Sequence, residues 1–201
     1  MTKEIIIATG NTGKVKEFRE LFSGIAVTLS SLADHWQPIP VIEENGSTFY
    51  ENAKIKADWV YERGGGLWAL ADDSGLEVDA LNGAPGVLSA RFSGENATSE
   101  SNNEKLLNVM RGIPENLRTA RFKCVLVLKT GRETYLSAEG VCEGVITFKK
   151  SGGGGFGYDP LFIPLGFNET FARLTPQEKN KISHRGKAMR ALYKKLHELV
   201  N

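Results

Sequence analysis

Two pairs of adjacent acidic residues are the first candidates for chemistry in this sequence. Asp72 and Asp73 follow an apolar run at residues 67–71, and Glu43 and Glu44 precede a predicted helix. Carboxylate oxygens are the ligands that Mg²⁺ takes together with waters and substrate phosphates. Adjacent acids are usually a solvated turn, but ligands of open α/β sheets collect where strands end. The position therefore favours a metal-binding or general-base role over a plain turn.

A loop between a predicted strand and a predicted helix is the main candidate for binding an anion. Free backbone N–H groups and the positive end of the helix dipole meet at such a place. The spacing does not match a Walker A phosphate loop, so an ordinary turn with a solvated lysine stays open. The loop consists of Thr9, Gly10, Asn11, Thr12, Gly13 and Lys14.

The glycine-rich stretch at residues 152–157 contains Phe156 and is followed by Tyr158, Asp159 and Pro160. Composition alone would make it a flexible linker. Two aromatic rings among the glycines favour instead a loop that lets backbone and a ring approach a flat ligand, such as a base. No helix pattern follows, so the stretch is not a dinucleotide-binding fingerprint.

Basic residues stand at the predicted start of the last helix, in Ser183-His184-Arg185. Positive charge there opposes the helix dipole, so contact with an anion or a carbonyl is favoured over a role in helix stability. Lys179 lies about one turn upstream, and a surface arginine without a role remains the alternative. A Ser/His/Asp triad through Ser74 or Ser183 lacks a nucleophile elbow.

The elements that must position these residues form a mixed α/β pattern. We predict that the first helix stops at Gly24 and that the second, which carries Lys56, starts with a capping box at Thr48 and Glu51. The last helix has an apolar face that includes Leu199 and Val200. Residues 72–75 are predicted to form a turn. Predicted strands cover residues 5–8, 67–71, 76–81, 121–128, 133–138 and 144–148.

Length and composition fit one folded domain or a single two-lobed unit of 201 residues. A formal charge of +1 gives no general attraction to nucleic acid or to an anionic membrane. We expect neither a signal peptide nor a membrane span. Cys124 and Cys142 lack metal-ligand spacing, which favours reduced thiols in a cytoplasmic protein and excludes structural zinc.

Seven segments, taken in order, resemble the inosine triphosphate pyrophosphatase family, in its bacterial branch. The resemblance spans nearly the whole chain, and an ordered set is far more specific than any one segment. The segments are Thr9-Gly10-Asn11-x-x-Lys14, Phe49-Tyr50-Glu51-Asn52-Ala53, Ala71-Asp72-Asp73-Ser74-Gly75-Leu76, Gly83-Ala84-Pro85-Gly86, Ser89-Ala90-Arg91-Phe92-Ser93-Gly94, Gly155-Phe156-Gly157-Tyr158-Asp159-Pro160 and Ser183-His184-Arg185-Gly186.

The resemblance implies an α/β fold with an elongated mixed central sheet flanked by helices, in two lobes with an active-site cleft between them. It implies Mg²⁺-dependent hydrolysis of XTP, dITP and ITP to the monophosphate and pyrophosphate, by a homodimer. Residues 1–201 would form one such two-lobed domain. The alternatives are a nucleotide-binding sensor without catalysis and a triphosphatase indifferent to the base.

The resemblance also assigns roles to individual residues. Asp73 would be metal ligand and proton acceptor, and Glu43 the second metal-binding acid, with Glu44 as a neighbouring alternative. Residues assigned to the triphosphate are Thr9, Gly10, Asn11, Thr12, Gly13, Lys14, Lys56 and Arg91, with Ser74 as a further substrate contact. Residues assigned to the base are Phe156, Gly157, Tyr158, Asp159, Lys179, His184 and Arg185.

Overall fold

The computed structural model describes residues 3–23 and 26–200, with side chains described up to residue 197. The strands are β1 (Lys3–Ile7), β2 (Val27–Ser31), β3 (Trp68–Val78), β4 (Thr119–Lys129), β5 (Tyr135–Ile146) and β6 (Phe162–Pro164). The helices are α1 (Thr12–Leu21), α2 (Leu32–His35), α3 (Phe49–Arg63), α4 (Ser99–Val109), α5 (Pro176–Ile182) and α6 (His184–Val200).

The six strands form one mixed sheet in the order β2-β1-β3-β4-β5-β6. β1 is parallel to β2 and to β3, whereas β5 and β6 are antiparallel. The predicted mixed α/β class is confirmed. The chain divides into two compact units. The first unit is Met1–Asp73, Cys124–Gly140 and Ala188–Asn201, and the second is Ser74–Lys123 and Val141–Lys187.

The first unit has two apolar cores because side chains alternate along β1. Ile5 and Ile7 are buried with Phe18 of α1 and with apolar residues of α6. Ile6 is buried in a second core with Ala53 and other residues of α3. Helices therefore cover both faces of this part of the sheet and hold the β1–α1 loop and the buried face of α3 in place.

The second unit has one core, built around the aromatic side chains of Phe122, Phe162 and Phe171. Phe122 and Phe162 meet edge to face at a centroid distance of 4.8 Å. Leu106 and Met110 close this core from the side of α4. The glycine-rich loop joins it through the buried side chain of Tyr158.

The predicted turn at residues 72–75 is wrong, because β3 continues through these residues as one strand. Asp72 and Asp73 are buried in mid-strand. Burial of a carboxylate requires a partner, and lysines from distant segments supply it, as described below. The sequence around Asp72 and Asp73 does not show that lysines from distant segments pair with them. The two adjacent acids therefore predicted a solvated turn.

The two strands predicted at residues 133–138 and 144–148 are also wrong as separate elements, because β5 is a single strand. The second of these predicted strands began at Gly144. In the structure Gly144 pairs with Pro164 of β6, and a Cβ atom at this position would clash with the backbone of Ile163. The glycine thus permits close approach of the edge strand.

The predicted start and end of α3 are confirmed. α3 begins after a Thr48/Glu51 capping box and ends before Gly64. α1 ends at Leu21, and Gly24, its predicted stop, lies outside the described residues, as do the side chains of Leu199 and Val200. In the part of the chain that is described, no helix combines the length and apolar character needed to cross a membrane.

Candidate active site

Lys14 and Asp72 form a buried ion pair in the first unit. The Lys14 Nζ lies 2.5 Å from Asp72 Oδ1, and the Asp72 side chain is fully buried. Asn11 caps α1 by accepting a hydrogen bond from the Lys14 backbone N–H, which places the lysine in the first helical turn. Ile7, the last residue of β1, pairs with Leu70 of β3, so Asp72 lies two residues beyond the last β3 residue that pairs with β1.

Lys56 is buried in the middle of α3 and faces two carboxylates. Its Nζ lies 2.9 Å from Glu44 Oε1 and 3.7 Å from Asp73 Oδ1. Burial by itself would lower the pKa of Lys56, but the negative charges of Asp73 and Glu44 outweigh it and hold the pKa above its ordinary value. Lys56 is therefore a permanent positive charge beside Asp73.

Asn52 lies one turn before Lys56 on the same face of α3 and is fully buried. Its Nδ2 donates to Asp73 Oδ2 over 3.1 Å, and its Oδ1 accepts from the Gly46 backbone N–H over 2.8 Å. One amide thus connects Asp73 to the loop that carries Glu44.

The surroundings of Asp73 raise the pKa of its carboxyl group. Burial raises the pKa of this carboxyl above its ordinary value, the charge of Lys56 opposes that rise, and Glu44 adds to it. A carboxylate with a raised pKa is a better proton acceptor than a solvated one. Asp73 has the surroundings expected of a general base.

The acids fit Mg²⁺ only together with a phosphate-bearing ligand. Within the described residues, no group of three or more His, Cys, Asp or Glu side chains is arranged to hold a metal ion. Glu44 and Asp73, however, share one cationic neighbour, the Lys56 ammonium group. In nucleotide sites Mg²⁺ uses one or two carboxylates and takes its other oxygens from water and phosphate.

In the second unit, Asp159 organises the glycine-rich loop. Its Oδ2 accepts the Phe156 backbone N–H over 2.9 Å and the Lys179 Nζ over 2.7 Å. A Cβ atom at Gly155 would clash with this carboxylate, so the turn requires glycine there. The Asp159 carboxylate thus binds both the backbone of the loop and the Lys179 ammonium group.

Phe156 lies against two cations, as a base-stacking ring can. Lys179 Nζ is 4.7 Å from its centroid and Arg185 Cζ is 5.6 Å away. Arg185 is 1% exposed and donates from Nη2 to Ser74 Oγ over 2.9 Å. His184 stacks on Phe122 with centroids 4.7 Å apart and planes 11° apart. Two buried cationic donors, Lys179 and Arg185, thus lie beside the Phe156 ring.

Two other predicted residues have different surroundings. The Tyr158 hydroxyl donates to the Ser89 carbonyl over 2.9 Å, so this buried side chain anchors its loop to the protein. Burial raises the pKa of this hydroxyl. Arg91 ends a short 3₁₀ helix, Gly86–Arg91, and is exposed.

The predicted residues fall into one set in each unit. The first unit holds Thr9, Gly10, Asn11, Thr12, Gly13, Lys14, Glu43, Lys56 and Asp73. The second holds Ser74, Arg91, Phe156, Gly157, Tyr158, Asp159, Lys179, His184 and Arg185. Of the acids before α3, Glu44 joins Lys56 and Glu43 is exposed.

Sequence reasoning assigned no role to Asn52 or to Phe122. Asn52 lies on the buried face of α3. Apart from Lys56, the other residues of this face are apolar, as Phe49 and Ala53 are. A lone amide on a core-facing stripe is the signal that could have identified it, because a buried amide must find partners. Phe122 looked like any aromatic residue of a strand, and only its contact with His184 distinguishes it.

Solved structures of bacterial proteins share this fold. A HAM1 protein from Coxiella burnetii matches with a TM-score of 0.88 at 42% identity, over 98% of this chain and 100% of that one. The Ham1 protein of Staphylococcus aureus matches with a TM-score of 0.85 at 39% identity, over 98% of this chain and 99% of that one. The α/β fold is that of these proteins.

The chain belongs to the Ham1 family, whose model matches residues 5–195. The dITP/XTP pyrophosphatase of Oceanobacillus iheyensis is 48% identical over 198 residues, which cover 98% of this chain and 100% of that protein. The dITP/XTP pyrophosphatase of Desulforamulus reducens is also 48% identical, over 98% of this chain and 96% of that protein. The family resemblance in the sequence is thereby confirmed.

Proposed function

We propose that this protein hydrolyses deaminated purine nucleoside triphosphates, namely XTP, dITP and ITP, to the monophosphate and pyrophosphate. The observation that carries the proposal is the cluster formed by the buried Asp73 and Lys56 with the half-buried Glu44. The names of its full-length relatives support the same activity. Such an enzyme removes damaged purines from the precursor pools of DNA and RNA.

The residues of the first unit supply what phosphoanhydride hydrolysis needs. Lys14 and Lys56 neutralise charge on the triphosphate, and the β1–α1 loop offers backbone N–H groups. Asp73 takes a proton from the attacking water while the anhydride bond between the α and β phosphates breaks and pyrophosphate leaves. Glu44 and Asp73 would hold Mg²⁺, which contributes further charge neutralisation when bound.

The residues of the second unit supply base recognition. Phe156 offers a ring for stacking, and Arg185 and His184 offer donors to the 6-keto oxygen of hypoxanthine or xanthine. Adenine presents an amino donor at that position, so the donors that face the base would meet a donor in place of an acceptor. An unpaired buried polar group costs about 1–3 kcal/mol, more when charged. Selection against adenine follows from this cost.

The test is to incubate the purified protein with Mg²⁺ and a panel of nucleoside triphosphates, with separate detection of pyrophosphate and orthophosphate. We expect pyrophosphate from ITP, dITP and XTP and far less from ATP. Orthophosphate alone would contradict the cleavage site. Similar kcat/KM values for ATP and ITP would favour a triphosphatase that ignores the base.

A sensor without catalysis is the alternative from another class. Tight binding of ITP that survives prolonged incubation with Mg²⁺ or Mn²⁺ would favour it. The raised pKa of Asp73 favours the enzyme, because binding alone does not need a proton acceptor.

We further propose that the protein acts as a homodimer in the cytoplasm. The family resemblance supports the dimer, and the reduced thiols of Cys124 and Cys142 suit a reducing compartment. Analytical ultracentrifugation would measure the oligomeric state, and a sedimentation coefficient of a monomer at micromolar concentration would contradict the dimer.

A further inference from the structure

We infer that Asn52 is a positioning residue that fixes the position of Asp73 relative to the loop that carries Glu44. Its amide forms hydrogen bonds both to the Asp73 carboxylate and to the backbone of the loop that carries Glu44. The inference rests on the proposed role of these acids, and it adds a residue that touches neither phosphate nor base.

The two hydrogen bonds fix which way the amide points. The Gly46 N–H can only donate, so the Asn52 atom facing it is Oδ1, and Nδ2 then faces the Asp73 carboxylate. Each of the two hydrogen bonds then joins a donor to an acceptor. A flipped amide would place its NH₂ group against the Gly46 N–H and its oxygen against the Asp73 carboxylate, so only one orientation of the amide is stable.

Space around Gly46 makes this connection tight. A Cβ atom at Gly46 would lie 2.6 Å from Glu51 Cβ and 2.8 Å from Asn52 Oδ1. The loop backbone therefore reaches the Asn52 amide only because residue 46 has no side chain. Glu51 also accepts the backbone N–H groups of Ser47 and Thr48, which ties the end of the loop to α3.

The charges around Asp73 explain why an amide stands there. Lys56 and Lys14 already offset the charge of the carboxylate, and Glu44 already repels it. A further cation would compete with Mg²⁺ for the acid, and a further acid would raise the repulsion. A neutral donor orients the carboxylate without adding charge. Partners of this kind around metal-binding acids are worth about 10- to 100-fold in metal affinity or activity.

The kinetic test uses Asn52→Ala with ITP and Mg²⁺. We expect kcat to fall at least 10-fold while the KM for ITP stays within about threefold, because Asn52 orients the acid and binds no substrate. Mn²⁺ titrated into the protein in the presence of the non-hydrolysable analogue α,β-methylene-ITP and followed by electron paramagnetic resonance should bind about 10-fold more weakly. Wild-type kcat and Mn²⁺ affinity, or a loss confined to KM, would overturn the inference.

Arg118→Lys is the matched control. Arg118 is another buried polar residue, it donates to the carbonyls of Ile146, Met110 and Thr147 in the second unit, and it touches none of the proposed site residues. This variant should lower the unfolding temperature and leave kcat unchanged. A comparable loss of kcat there would mean that general destabilisation explains the effect at Asn52, which would overturn the inference.

A second experiment requires no activity. Asn52→Asp places two carboxylates side by side, so it should lower the unfolding temperature strongly in the wild type. In an Asp73→Asn background the new carboxylate meets an amide donor, and the loss should largely disappear. An equal loss in both backgrounds would overturn the inference. If the wild type lacks pyrophosphatase activity, the proposed function fails, while these stability and Mn²⁺ measurements still decide the role of Asn52.

Discussion

Lys14 and Asp72 come from segments far apart in sequence, yet their charged groups meet at 2.5 Å with the carboxylate fully buried. The pair allows an acid to occupy the middle of β3. Breaking a buried ion pair from one side leaves a charge without its counter-ion, which is more costly than removing both charges. The relationship explains why β3 does not turn at residue 72.

Lys14→Met should therefore destabilise the protein by about 3 kcal/mol. The double variant Lys14→Met/Asp72→Asn should recover part of that loss, because no uncompensated carboxylate remains. Urea unfolding followed by circular dichroism measures both. Equal losses in the single and double variants would show that the pair does not carry the buried charge.

Asp73→Asn should abolish turnover and raise thermal stability at pH 7. Burial raises the pKa of Asp73, so between its ordinary and its raised pKa the folded protein binds more protons than the unfolded chain, and stability falls as pH rises. An uncharged residue avoids that cost, and the advantage should shrink at acidic pH, where the wild-type carboxyl is protonated.

The control for this variant is Asp79→Asn, in the second unit. Asp79 is partly exposed, pairs with Arg121 at 2.8 Å, and has a pKa lowered by its hydrogen bond from Thr119 and by Arg121. The Asp79→Asn variant should keep the turnover of the wild type and should not be more stable than the wild type. Differential scanning calorimetry and pyrophosphate release measure both variants, and wild-type turnover in Asp73→Asn would remove this acid from the mechanism.

Glu44→Gln and Glu43→Gln form a matched pair that identifies the second metal-binding acid. Glu44 lies 2.9 Å from Lys56, whereas Glu43 is exposed. We expect the Mg²⁺ concentration for half-maximal activity to rise about 10-fold in Glu44→Gln and to stay unchanged in Glu43→Gln, because the first loses a carboxylate that faces the cluster. The opposite pattern would assign the role to Glu43.

The limits of sequence reasoning are visible in the same residues. α3 could be predicted with its capping box, because the apolar spacing and the Thr48/Glu51 pair are local signals. The pairing of Asp72 with Lys14, or of Asp73 with Asn52, depends on how β3, α1 and α3 pack, and no local pattern encodes it. The residue types of the site were predictable, and their partners were not.

Acid sensitivity of the first unit should depend on Asp58. Burial would raise the pKa of Asp58, but hydrogen bonds from Lys129, Lys54 and Tyr135 outweigh it and hold the pKa below its ordinary value. Its contribution is thus present above the ordinary pKa of an aspartate and is lost as pH falls through the lowered one. Asp58→Asn should lose stability at pH 7 and be less sensitive to further acidification. Urea unfolding at several pH values measures this, and parallel pH profiles for variant and wild type would contradict it.

Arg185→Met should weaken selection for the base more than it weakens catalysis in general. The buried guanidinium contacts Ser74 and Phe156 and offers donors that suit a keto oxygen. Loss of a donor matched to the substrate costs about 1–3 kcal/mol, so kcat/KM for ITP should fall about 5- to 150-fold. The value for ATP should change little, because adenine gains nothing from that donor. Arg173→Met, an exposed arginine paired with Glu169, is the control and should leave both values unchanged. Equal losses for ITP and ATP in Arg185→Met would show that the arginine binds a part of the nucleotide common to both.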